Sequence, residues 1–171
     1  MADTPRDLLA GAAAGFAATG PMTAVMDGVR RLLPDHQRRQ PLPPHVVTVR
    51  AADAATGAAH ELPEGAKTGL TTLAHFGFGT AAGAGYGLLA PHLPFSPAAN
   101  GVAYGLAVWA GSYLGWLPAL GLHPSAKDEP PGRVVMNIAA HVAWGAALGA
   151  LTEVMAPHAE RPEAEVPAFA G

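Results

Sequence analysis

Between Lys67 and Lys127 the chain contains no Asp, Glu, Lys or Arg. A run of that length exceeds one buried helix and suffices for two membrane spans joined by a turn, since each span takes about 20 apolar residues. Residues 8–26 and 134–152 form two more uncharged stretches, each long enough for one further span. Charged residues are only 13% of the chain, against about 25% in ordinary soluble domains. Cysteine is absent, which excludes disulfides, thiolate nucleophiles, zinc–thiolate sites and iron–sulfur clusters. No basic stripe exists, and a net charge of −3 gives no footing for nucleic acid. Aromatics make up 6% of the chain, whereas glycine alone numbers 21. Helices of such composition hold together by close backbone approach.

What is present organises into an all-α, integral membrane four-helix bundle, a single domain over residues 1–157. The expected spans are 8–30, 66–90, 97–121 and 132–156. Proline punctuates them at Pro34, Pro91, Pro97, Pro130 and Pro157. Asp7 is a candidate N-cap of the first span, and Gly20-Pro21 is expected to kink it. Ser96-Pro97 reads as a cap followed by proline at the first helical position. Residues 1–7 carry a net negative charge, so the first apolar stretch reads as a retained span and not a secretory signal. The long first connection contains Pro41-Leu42-Pro43-Pro44 and then an amphipathic stretch, 45–56, expected as a short helix on the membrane surface. Residues 158–171 read as a flexible acidic tail. Eight of the ten Lys and Arg residues fall in the first and third connections or their flanks, leaving Arg6 and Arg161 opposite. The positive-inside rule then puts both termini on the non-cytoplasmic side of a bacterial cytoplasmic membrane. Trp116, Tyr86 and Tyr104 are expected at the membrane interfaces.

The second and fourth spans repeat at an offset of 66 residues. Lys67 aligns with Arg133, Ala74-His75 with Ala140-His141, Gly79 with Gly145, Gly83 with Gly149, and Pro91-His92 with Pro157-His158; Phe78 stands opposite Trp144. The first and third spans share Gly11-x-x-x-Gly15 and Gly101-x-x-x-Gly105. The chain therefore reads as two helix hairpins, a 2+2 parallel repeat about a pseudo-two-fold axis along the membrane normal.

His75 and His141 are the candidate cofactor-binding residues, expected at one depth. Three readings are open. They ligate a haem b as a bis-imidazole pair inside the bundle. They contact a quinone or move protons. Or each bonds a nearby hydroxyl or carbonyl, with Thr71, Thr72, Ser112 and Asn137 in reach, and serves only packing. The glycine stripes Gly11/Gly15, Gly79/Gly83, Gly101/Gly105 and Gly145/Gly149 read as helix-packing surfaces. Asp27 and Glu153 read as boundary residues, His92 and His158 as exposed loop histidines, and Met22 and Met26 as core filler. No nucleophile–base pair, phosphate loop, metal-binding signature or catalytic residue is found.

Pro41-Leu42-Pro43-Pro44, a His-led span ending in Gly85-Tyr86-Gly87, Pro118 and Gly121 ahead of Pro124, and Ala140-His141-Val142-Ala143-Trp144 together resemble the YagU-like group of small bacterial inner-membrane proteins of unknown function. The resemblance implies a multi-span membrane protein with no established activity. The expected function is a packing, accessory or assembly role, not that of an enzyme. Its partners would be the lipid bilayer and either further copies of itself or a larger membrane complex. The alternatives are the haem- or quinone-linked module on His75 and His141, and a small-solute transporter or channel subunit.

Overall fold

A computed structural model describes residues 4–157, and among these no strand occurs. The elements are α1 (Thr4–Arg30), α2 (Asp35–Arg38), α3 (Pro43–Thr56), α4 (Glu64–Leu89), α5 (Pro97–Ala110), a π-helical segment (Gly111–Trp116), α6 (Leu117–Ala119) and α7 (Pro131–Met155). The described part is thus all-helical. The expected 158–171 tail and His158 lie outside the described residues.

Local chemistry explains most of the boundaries. Proline stands at the first turns of α3, α5 and α7, where its missing N–H costs nothing. Gly57 ends α3 at φ 70°, a left-handed conformation that suits glycine. Ser96 precedes α5 but makes no side-chain cap. Asn100 closes that turn instead: its amide donates to the Phe95 carbonyl at 2.8 Å and its oxygen accepts from the Phe95 N–H at 3.1 Å. Asp7 is also no cap. It lies inside α1, 5% exposed. The helix begins earlier than expected and runs unbroken through Pro21. The irregularity falls in the third span, where the π segment interrupts the expected continuous helix 97–121.

α1 packs against α4, α5 packs against α7, and α1 also packs along α7, whereas α4 and α5 barely touch. Viewed down the helices the order is α4–α1–α7–α5. α1 and α7 form the centre, and α3 lies against α4. This corrects the pseudo-two-fold expectation. The repeat partners α4 and α7 have different surroundings, because α7 sits between two helices and α4 at the periphery. Phe78 is 49% exposed while its counterpart Trp144 is 3% exposed.

The core is built from small and flexible side chains. Ala14, Ala18, Met136, Ala140 and Leu148 are fully buried at the α1–α7 seam, with Met26, Tyr86 and Trp144 around them. Of the two tyrosines expected at an interface, Tyr86 is buried and Tyr104 half-buried. Tyr86 and Tyr104 rings lie 5.2 Å apart, and their hydroxyls donate to the Pro97 and Ala82 carbonyls at 3.3 and 2.8 Å. A buried phenol needs such a partner, and each finds one. α1 and α7 are long and apolar enough to cross a membrane.

Candidate functional site

The bundle has two unlike ends. One holds the start of α1, the turn between α4 and α5 and the end of α7; the other carries most of the basic residues. At the first end, backbones meet directly. A Cβ on Gly11 would strike the Gly83 carbonyl and come within 2.7 Å of Gly87 Cα. On Gly15 it would strike the Gly79 carbonyl and lie 2.8 Å from Gly83 Cα. The same meeting recurs between α5 and α7. A Cβ on Gly101 would strike the Gly145 carbonyl and lie 2.8 Å from Gly149 N, and one on Gly105 would strike the His141 carbonyl. All eight glycines singled out in the sequence are therefore at helix–helix contacts.

The contacts shift the sequence register by one turn. Gly83 faces the Gly11 carbonyl and Gly15 Cα, whereas Gly149 faces the Pro97 carbonyl and Gly101 Cα. Gly15 and Gly101 are the equivalent pair, not Gly11 and Gly101. A four-residue slip along a Gly-x-x-x-Gly ladder preserves the motif, so sequence alone has no signal to fix it.

Towards the basic end α4 and α5 part, and a cavity of about 380 Å³ opens between them. α1 contributes Thr19, Met22 and Met26; α3 closes it with Pro44, Val47 and Thr48. Phe78, Val108, Trp116 and Trp144 supply broad apolar walls, and Ser112, Tyr113, His75 and His141 the polar ones. Among the described residues no Asp, Glu, Lys or Arg lines it. The two histidines that the 66-residue repeat singles out thus share one space.

His141 takes a backbone carbonyl, one of the two kinds of partner expected, whereas His75 takes neither Thr71 nor Thr72. His141 is 5% exposed, and its Nδ1 lies 2.8 Å from the backbone carbonyl of Asn137. A carbonyl only accepts, so Nδ1 carries the proton and Nε2 of the neutral ring is a lone-pair acceptor. The Tyr113 ring stands edge-on to it at 5.9 Å. His75 Nε2 is buried with no partner among the described residues. Thr71 approaches His45 instead, at 3.4 Å, and Thr72 donates to its own helix at the Thr68 carbonyl. Trp144 donates across to the Gly15 carbonyl at 3.3 Å, which ties the cavity wall to the glycine contact.

The basic end is held by Arg133, which is 2% exposed. It donates to Glu129 at 2.9 Å and to the Pro41 carbonyl at 2.9 Å, fixing the first connection against α7. Asp53 on α3 accepts from His60 Nδ1 at 2.6 Å and from the His60 backbone N–H at 3.2 Å. These bonds hold its carboxyl below the ordinary aspartate value. Asp27 and His92 are exposed. Among the described residues no group of three or more His, Cys, Asp or Glu is placed to hold a metal ion.

The sequence pointed to the histidines but not to the cavity around them. Ser112, Tyr113 and Trp116 enter it from the π segment, whose only trace in the sequence is Gly111 and Gly115. Neither glycine has any atom near its would-be Cβ, so they do not serve close packing.

No curated protein and no solved structure matches the chain. A family model described as "Protein of unknown function (DUF1440)" matches residues 23–150, well over half of the 171 residues. That span includes all of α3, α4, α5 and the π segment, together with both cavity histidines, and the chain belongs to this uncharacterised family.

Proposed function

We propose that this is a four-span, YagU-like bacterial inner-membrane protein that binds a neutral apolar small molecule in its His75/His141 cavity. The cavity is the observation that carries the reading: an apolar chamber, free of charge, into which two histidines from different helices project. Ligand sites are commonly concave and mostly apolar, with a few placed polar groups. Among the described residues five buried side-chain polar atoms have no partner, and of these only His75 Nε2 belongs to a residue that lines the cavity.

The surface supports a lipid setting. Leu73 is 72% exposed, Val135 60% and Val154 76%, while fully buried positions include Ala14, Ala18, Thr19 and Thr152. Large apolar groups outside and small or polar groups inside suit a bundle solvated by lipid. α4 is not among the helices apolar enough to cross a membrane on length and composition alone. It carries Thr68, Thr71, Thr72, His75 and Thr80 among its glycines, and the hydroxyls of Thr72 and Thr80 are bonded back to its own backbone. With the basic end cytoplasmic, the cavity opens in the inner half and the glycine contacts close the outer half. Two helix pairs with one shared contact register form an internal repeat without two-fold closure. The closed glycine half argues for binding over passage of a solute.

Haem is the less supported occupant. His141 Nε2 is free to ligate iron, but no Arg or Lys lines the cavity to neutralise two propionates.

The test uses Trp116 and Trp144 as reporters in wild-type protein held in nanodiscs. Quenching by 1,4-dibromobenzene should saturate at one equivalent, and Val108→Phe, which fills the chamber, should abolish the saturable part. Linear quenching that is identical in both proteins would contradict the reading.

A further inference from the structure

We infer that the cavity selects a lipid-borne hydroquinone or closely related phenol, held by a hydroxyl that donates to His141 Nε2. This rests on the ligand-cavity reading and narrows its occupant. The absence of charged lining residues excludes phosphates, carboxylates and ammonium groups, since an uncompensated charge in such a space is strongly disfavoured. The Asn137 carbonyl commits His141 Nδ1 as donor at 2.8 Å, so the face this ring turns to a ligand is an acceptor. It takes a ligand donor, which the O–H of a neutral phenol supplies.

A ligand carbonyl would set lone pair against lone pair there, leaving two acceptors unsatisfied. His75 Nε2, buried and unpartnered, supplies a second polar point that can serve either role. Phe78 and Trp116 have ring centroids 6.3 Å apart and, with Trp144, offer aromatic surface to a flat ring. About 380 Å³ accommodates a substituted ring but not a long isoprenoid tail, and the parting of α4 from α5 gives such a tail an exit into lipid. The oxidised quinone, with carbonyls only, can accept from a donor such as Ser112 or Tyr113 in the lining but not from His141 Nε2. The site therefore discriminates by redox state of the ligand without itself transferring electrons.

The full chain in nanodiscs is titrated anaerobically by calorimetry with tetramethylhydroquinone, tetramethyl-1,4-benzoquinone and tetramethylbenzene. The hydroquinone should bind at one site about tenfold more tightly than the quinone, one satisfied against one unsatisfied buried acceptor. His141→Leu should erase that difference, weakening the hydroquinone and tightening the quinone, which no longer faces a buried lone pair. Equal or tighter quinone binding in the wild type overturns the inference whether or not the variant folds. Saturable tetramethylbenzene binding with no hydroquinone advantage overturns it while the cavity reading stands. If none of the three binds, both readings fail.

Discussion

Replacing Gly83 with alanine should force α1 and α4 apart. The added Cβ would strike the Gly11 carbonyl and lie 2.6 Å from Gly15 Cα and 2.9 Å from Gly15 N, all of it backbone. No flexible side chain is available to move aside, so the helix axes must shift. Overpacking of this kind costs about 1–3 kcal/mol, against which alanine regains roughly 0.5–1 kcal/mol of helix propensity. Gly77→Ala on the same helix gives the propensity gain alone, because nothing lies within 4 Å of its Cβ position. The two variants should therefore differ by about 2 kcal/mol, roughly thirtyfold in the unfolding equilibrium. Gly149→Ala should behave like Gly83→Ala, since its Cβ would strike the Pro97 carbonyl and approach Gly101 Cα at 3.2 Å. Reversible unfolding in mixed micelles, followed by tryptophan fluorescence, measures all three. Gly83→Ala as stable as Gly77→Ala would refute the close-contact reasoning, and a neutral Gly149→Ala would refute the shared register.

Arg133→Met should destabilise by about 3–5 kcal/mol, because it strands the largely buried Glu129 carboxylate and the Pro41 carbonyl. Limited proteolysis should then cut the 34–42 connection at rates at which the wild type resists. Trp144→Phe should cost about 0.6 kcal/mol through the lost bond to the Gly15 carbonyl; a cost above about 2 kcal/mol, read in the same micelle unfolding, would show that the indole does more. Asp53 should titrate below the ordinary aspartate value. Since its folded value is depressed, its bond to His60 contributes at all pH above the unfolded value and is lost as pH falls through the folded one. His60→Ala should move the Asp53 carboxyl upward, towards its ordinary range, by NMR, with the backbone N–H bond from residue 60 still holding it somewhat lower.

Proline placement and apolar run length made the helices legible: α4, α5 and α7 each start within two residues of the expected spans. The expected surface helix 45–56 is present as Pro43–Thr56, but it closes the cavity with Pro44, Val47 and Thr48. Amphipathicity reports that one face is apolar without saying whether lipid or protein covers it. The joint placement of His75 and His141 followed from the repeat. Their surroundings did not, because repeat symmetry says nothing about which helix becomes central. That difference turns on single side chains, notably the Trp144 indole that reaches α1 where the repeat has Phe78. The Tyr86 and Tyr104 hydroxyls find carbonyls inside the bundle, a pairing that depends on tertiary neighbours and leaves no trace in spacing.

Because the chain has no cysteine, single cysteines can be introduced without background. Ser96→Cys, Leu73→Cys and Ser125→Cys place one thiol at the glycine end, one on an apolar outer face and one at the basic end. In intact spheroplasts a membrane-impermeant maleimide should label Ser96→Cys alone; Ser125→Cys should label only in inverted vesicles, and Leu73→Cys in neither. Rapid labelling of Leu73→Cys in the native state would contradict the lipid-embedded bundle on which the cavity, its sidedness and its ligand depend.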